Sequence, residues 1–488
     1  MRSRATESPI WSIGNENSEV QANQRPDRAV ASYARRAGLS YPDELLQPPP
    51  LVRTSLEQRF NQIDVGDWDD DAWAEQCEEW TLAADARYRP IVARRSATPA
   101  VRVGVKDTID VADFPTGLGL RWYRHHPKAS APAIESIEQG DGGTASVIAK
   151  LVSTELNIGV GSGCVNPCFP HIDPAGSSTG AGVAVAAGLC DLAVGTDVLG
   201  SVRWPAGQCG TVGLRMSHAP DLLDGVFPLS PPMDAIGLVA RSAADLALLW
   251  RRLGLGSLVS EENRSSSGVE WERRRYRVGV VDNIRHGCAS SEMLETVDKV
   301  SDWLADDGHV VDEVRLGDLW RFRGDAWQLC ARQARDGYQL WRRWITVPLL
   351  DSTHRALDVG AKVDDERYAE ILENMVSSRR EAPAMFGDDL DAWLLPLDPS
   401  APPDIRVHSS SLSTIPMPGE PDYDRRIGYT PIASFAGLPA ITVPAQRSRI
   451  NGAPLGVQLV GPRGSEERLI HLARRVEQSA GELEMHPM

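Results

Sequence analysis

The chemistry legible in this chain lies in two serines and a lysine set among glycines. Lys106 stands in Gly104-Val105-Lys106-Asp107, Ser177 in Gly176-Ser177-Ser178-Thr179-Gly180, and Ser201 in Gly195-Thr196-Asp197-Val198-Leu199-Gly200-Ser201-Val202-Arg203. A serine hydroxyl becomes a nucleophile only when a base takes its proton. No histidine occurs in any of the three stretches. Lys106 directly follows an apolar run at 101–105, and an amine at a strand end against buried surface can lose its charge and act as a base. The adjacent hydroxyls at 177 and 178 can relay a proton, and the small residues around them let backbones approach closely. The turn that ends at Ser201 can aim several backbone N–H groups at one point, as an oxyanion requires. Taken singly, the stretches also read as a solvated lysine, a flexible Gly/Ser loop and a tight surface turn. Their joint occurrence points to acyl transfer.

The elements that must position these residues are α/β in pattern. Residues 54–90 carry apolar side chains at helical spacing (Leu56, Phe60, Ile63, then Trp73, Cys77, Trp80, Ala84). From about residue 100, short apolar strands at 101–105, 146–151 and 192–195 alternate with helices beginning at 133 and spanning 180–188. Further strands are expected at 277–281, 309–314, 394–396, 440–443 and 456–460, with helices at 291–307 and 466–480. Such alternation predicts a mostly parallel sheet covered by helices on both faces. The connection between Ser177 and Ser201 is the right size to bring both loops to one end of that sheet. Residues 1–53 read as a polar N-terminal extension with a helical stretch near 29–37, and 409–411 as a surface loop.

Other readings compete. Gly176-x-Ser178-x-Gly180 also satisfies the nucleophile elbow of α/β-hydrolases, which would make Ser178 an esterase nucleophile. That elbow needs a strand before it, whereas residues 168–174 are broken by prolines, and His218, His286, His309 and His354 lack any motif context. Cys164, Cys168 and His171 lack the second half of a metal site and read as small buried thiols. Gly159-x-Gly161-x-Gly163 lacks dinucleotide-binding spacing. His125-His126 reads as a surface pair. No metal and no cofactor is expected.

The 488 residues hold 67 acidic and 51 basic side chains, a net charge of −16. Such a surface repels phosphate backbones and anionic lipid, so neither nucleic acid nor membrane is an expected partner. Seven dispersed cysteines suit reduced thiols in a cytoplasm. With no apolar run of membrane-spanning length and no signal-like start, the chain reads as soluble and cytoplasmic.

The three stretches, in this order, resemble the Gly-Val-Lys-Asp, Gly-Ser-Ser-Gly-rich and Gly-Thr-Asp-x-Gly-Gly-Ser-Val-Arg segments of the amidase signature family. Three downstream matches join them: Cys209-Gly210-Thr211-Val212-Gly213-Leu214-Arg215, the stretch Asp234 to Ser242, and the terminal pair at 437–444 and 456–461. The resemblance covers about residues 95–480. It implies the amidase signature fold, a single domain over 54–485 with a helical lead-in at 54–95 and a catalytic core at 96–250. It also implies a substrate-pocket region at about 318–430, whose tryptophans read as helix packing. Carried over, Ser201 would be the acyl nucleophile, Ser177 a relay held by a cis peptide after Gly176, and Lys106 the terminal base. The backbone N–H groups of Val198, Leu199, Gly200 and Ser201 would form the oxyanion hole, with Ser178, Asp197 and Arg203 in support. The implied reaction is hydrolysis of a small-molecule, non-peptide amide. The family also includes ammonia-releasing amidotransferase components that work with a partner, and the same acyl-enzyme could form an amide; a homodimer is admitted. This chain departs from the pattern at Leu199, Thr179, Ala181 and Ala149. Leucine at 199 would be strained if the position needs positive φ; otherwise its side chain would narrow the acyl pocket.

Overall fold

Strand β2 (Val101–Lys106) and strand β4 (Leu192–Asp197) are the elements that gather the three stretches. They pair in parallel, with Val103 opposite Leu192 and Val105 opposite Val194, so their C-terminal ends emerge side by side. Lys106 ends one of them and Thr196-Asp197 the other. The computed structural model that shows this describes residues 46–259, 271–387, 389–406, 416 and 418–481. The helical stretch expected near 29–37 and the loop at 409–411 lie outside the described residues.

The described strands join one eleven-stranded sheet in the order β1-β3-β2-β4-β6-β5-β10-β11-β9-β7-β8. The remaining strands are β1 (Ile91–Arg94), β3 (Ala145–Leu151), β5 (Val212–Arg215), β6 (Ala235–Ala240), β7 (Arg277–Val281), β8 (Val310–Val314), β9 (Ala392–Pro396), β10 (Ala440–Arg447) and β11 (Pro454–Val460). The sheet is mixed, but parallel pairing does not dominate it as the alternation suggested. Parallel pairs are confined to β3-β2-β4 and to β9-β7-β8, and the middle, from β4 through β6, β5, β10 and β11 to β9, is antiparallel. For one of these pairs the cause lies in connection length. Residues 448–453, between β10 and β11, are too few to carry a crossover helix, so those two strands return as antiparallel neighbours.

Alternate side chains feed two apolar layers. Leu192, Val194, Leu238 and Ala240 belong to the larger layer, and Ala193 and Val239 to the smaller. The smaller layer is completed by α1 (Asp70–Tyr88), through Trp73, Cys77, Trp80 and Ala84, and by α2 (Thr179–Ala186). Helix α2 is buried at every position, which its Thr-Gly-Ala-Gly-Val-Ala-Val-Ala sequence permits. A Cβ at Gly182 would sit 2.5 Å from Pro205 O, so α2 can pack this tightly on α3 (Arg203–Gln208) only without a side chain there.

The region after β8 is mostly helical: α4 (Arg323–Trp341), α5 (Asp351–Gly360) and α6 (Asp365–Phe386). Asp364 caps α6 by accepting from Arg367 N–H at 2.8 Å. The expected lead-in is helical over Leu56–Val65 and α1, then ends in β1, which adds an antiparallel edge beside β3.

Candidate active site

Lys106 is fully buried, and its Nζ lies 2.8 Å from Ser177 Oγ and 2.8 Å from Thr196 Oγ1. Burial drives its pKa down to about 7, against a weaker upward pull from Asp197 and Asp234. At neutral pH a large share of this amine is therefore uncharged and able to accept a proton. Ser177, 1% exposed, follows the cis peptide Gly176–Ser177. Its loop is tied to the Ser201 turn by Ser178 N–H, which donates to Ser201 O at 3.0 Å. Exposure rises along the series: lysine and Ser177 are sealed, whereas Ser201 is partly exposed and lines a cavity of about 710 Å³.

The Ser201 turn is shaped by Asp197. Its carboxylate accepts from Gly200 N–H at 3.0 Å and Val202 N–H at 3.2 Å, and pairs with the Arg203 guanidinium at 2.9 and 3.1 Å. Arg215 reaches both the carboxylate and the backbone carbonyl of Asp197. Burial disfavours the charged carboxyl, but these two guanidinium groups and the N–H donors outweigh it and hold its pKa well below the usual range. Arg203 goes on to Gln458 Oε1 at 2.9 Å and Ser434 Oγ at 3.1 Å, fastening the turn to β11 and to the helix at Pro431–Ala436.

Of the four N–H groups expected to form the oxyanion hole, that of Gly200 donates to Asp197 Oδ1 at 3.0 Å. The N–H groups of Val198, Leu199 and Ser201 have no acceptor among the described residues. Positive φ falls at Gly200 (112°) and not at Leu199. Leucine is thus unstrained, and its side chain lines the cavity.

Ser178 is buried and donates to Thr196 O at 3.1 Å. No strand precedes it, so the nucleophile-elbow reading fails. Among the described residues no histidine, cysteine and carboxylate group could hold a metal, and Cys164 instead donates to Arg89 O. No disulfide joins any of the seven cysteines. His125 is half-buried, 3.8 Å from Asp110, and His126 is exposed.

Sequence reasoning missed several neighbours of the site. Thr196 sits inside a quoted motif, yet only the parallel pairing of β2 and β4 reveals that its hydroxyl meets Lys106. Thr430 Oγ1 donates to Leu199 O at 2.6 Å and packs against Gly200, more than two hundred residues away in sequence. Trp320 and Trp341 pack against Tyr429 and Phe227, as helix-packing residues should, but Trp327 faces the cavity.

Comparison with known proteins fits this architecture. The chain belongs to the Amidase family, whose model matches residues 60–470. It is an enzyme of the amidase class. A glutamyl-tRNA(Gln) amidotransferase component of Bartonella tribocorum is 27% identical over 345 residues, 63% of this chain and 67% of the relative. The 2-amino-5-chloromuconic acid deaminase of Comamonas testosteroni is 29% identical over 330 residues, 65% and 67% of the two chains. Among solved structures, a 6-aminohexanoate cyclic dimer hydrolase shares the fold with TM-score 0.73 at 19% identity, covering 90% of this chain and 99% of that one. The peptide amidase of Stenotrophomonas maltophilia does so with TM-score 0.68 at 21% identity, covering 88% and 97%. No described helix is long and apolar enough to cross a membrane.

Proposed function

We propose that the protein hydrolyses a small carboxylic amide to a carboxylate and ammonia or an amine through an acyl-enzyme on Ser201. The observation that carries this reading is the sealed contact between Lys106 and Ser177 behind a serine that opens onto the cavity. Neutral Lys106 accepts the proton of Ser177 while Ser177 accepts that of Ser201, so that Ser201 Oγ attacks the carbonyl carbon without a free alkoxide forming. The negative charge on the carbonyl oxygen is met by the N–H groups of Val198, Leu199 and Ser201, each such donor being worth about 10²–10³-fold in rate. The relay then runs backward, the leaving nitrogen takes the proton, and the C–N bond breaks. Water enters along the same route to release the acid. Thr196 holds the amine in place through a second hydroxyl contact, and the Asp197–Arg203 pair keeps the turn from collapsing.

The test is direct. The purified chain is incubated with primary amides and anilides, and ammonia or aniline release is measured for wild type and for Lys106→Met. Release from wild type, reduced about 10²–10⁴-fold in the variant, is expected for loss of a general base. Equal release from both sinks the proposed base. Release of ammonia from glutamine only when lysate is added would favour a partner-dependent amidotransferase component instead.

A further inference from the structure

One corner of the cavity holds a carboxyl that the triad chemistry does not use. Asp398 stands just beyond β9 and lines the cavity together with Trp204 and Gln208. Those two residues lie four apart on α3, three and seven residues past Ser201, so one helix face carries both toward the same wall. A Cβ placed at Gly428 would lie 3.9 Å from Asp398 Oδ1 and 4.0 Å from the Trp204 ring, which puts carboxyl and indole at one corner. Trp327, reaching in from α4, stacks on Trp204 with centroids 6.3 Å apart and planes 30° apart. Its indole N–H is spent on Ile427 O at 3.0 Å, which fixes the ring.

The charge at this corner has no counter-ion among the described residues. Among the described residues no lysine, arginine or histidine forms an ion pair with Asp398; hydrogen bonding by the Trp204 and Gln208 side chains favours its charged form, but both groups are neutral. The two arginines that line the cavity are directed elsewhere, Arg425 to Ser400 Oγ at 2.9 Å and Arg426 to Glu420 at 2.6 Å. Burial raises the Asp398 pKa to about 7. A carboxylate walled by apolar rings and lacking a cation is costly, and a ligand that brings the cation relieves that cost. Indole faces attract cations as well, so the tryptophans and the carboxyl favour the same ligand chemistry.

We propose that the corner formed by Asp398, Trp204 and Trp327 binds a positively charged group, a primary ammonium or amidinium, carried by the amide substrate, and so selects cationic amides over neutral and anionic ones. This rests on the amidase reading of Ser201, and the experiment separates the two. Wild type, Asp398→Asn and Trp327→Leu are labelled with a fluorophosphonate in the presence of 4-(aminomethyl)benzamide, 4-ethylbenzamide or 4-(carboxymethyl)benzamide. These three probes share a ring and an amide and differ in terminal charge. In wild type the ammonium probe should slow labelling of Ser201 at concentrations about tenfold lower than the other two, the advantage expected of a desolvated cation contact. Both variants should lose most of that advantage, and thermal melts check that they are folded. Equal protection by the three probes, protection by none, or an advantage that survives in both variants overturns the cation site. Absence of any labelling of wild type would instead count against the amidase reading itself.

Discussion

Lys106 Nζ lies 2.8 Å from Ser177 Oγ with neither side chain open to solvent. Burial brings the lysine pKa down to about 7, so under the proposed mechanism the fraction of working enzyme follows deprotonation of this one amine. Turnover should rise as pH increases through about 7 and level off on the alkaline side. A pH–rate profile of kcat checks it, and a maximum on the acid side of that value would exclude neutral lysine as the base.

The same burial makes a stability prediction of definite sign. The folded pKa of Lys106 lies below its ordinary value of 10.5, so between about 7 and 10.5 the unfolded chain binds the extra proton. Stability therefore gains from this group as pH rises through that window and is penalised below it. Lys106→Met lacks the titration. The difference in melting temperature, wild type minus variant, should become more positive from pH 6.5 to pH 9.5; Lys150, also buried, is common to both proteins and cancels. A difference that does not change with pH would mean the amine is not desolvated.

Thr196 should matter as a positioning residue. Replacing it with valine keeps the shape but removes the oxygen that lies 2.8 Å from Lys106 Nζ. We expect kcat to fall by about 3–10-fold with KM little changed, one hydrogen bond between neutral groups being worth roughly 0.5–1.5 kcal/mol. Thr196→Ser, which restores the hydroxyl, should recover most of the loss. Failure of the serine to rescue would point to packing.

Gly200 and Leu199 divide the turn between backbone and pocket. At Gly200, φ is 112° and a Cβ would meet Thr430 at 2.9 Å, so Gly200→Ala should cost about 1–3 kcal/mol of stability, read by denaturant unfolding. Leu199→Ala carries no such strain. It should leave the fold intact and shift acyl preference toward bulkier amides, seen as a changed order of kcat/KM across a series of acyl groups. An unchanged order would mean that the leucine does not narrow the acyl site.

Much of the site was legible because its residues sit at the ends of apolar strands, in short motifs whose glycines advertise tight turns. Lys106 after 101–105 and Asp197 after 192–195 are of this kind, and the strands formed where the apolar runs stood. What the sequence could not convey is which strand ends are neighbours. The Lys106–Thr196 contact depends on parallel pairing of β2 and β4, and the Thr430–Leu199 contact on a helix brought in from the far end of the chain. The prevalence of antiparallel pairs was missed because β1, β5 and β6, all of whose pairings are antiparallel, were not expected as strands. Asp398 escaped notice since a lone aspartate after an apolar strand looks like any loop residue until its neighbours prove neutral.

The central claim is that Ser201 is the nucleophile and Lys106, through Ser177, its base. Fluorophosphonate labelling followed by peptide mapping tests it most directly. A single adduct on Ser201 is predicted, absent from Ser201→Ala and formed far more slowly by Lys106→Met and Ser177→Ala. An adduct on Ser178, or label that persists on Ser201→Ala, would contradict it.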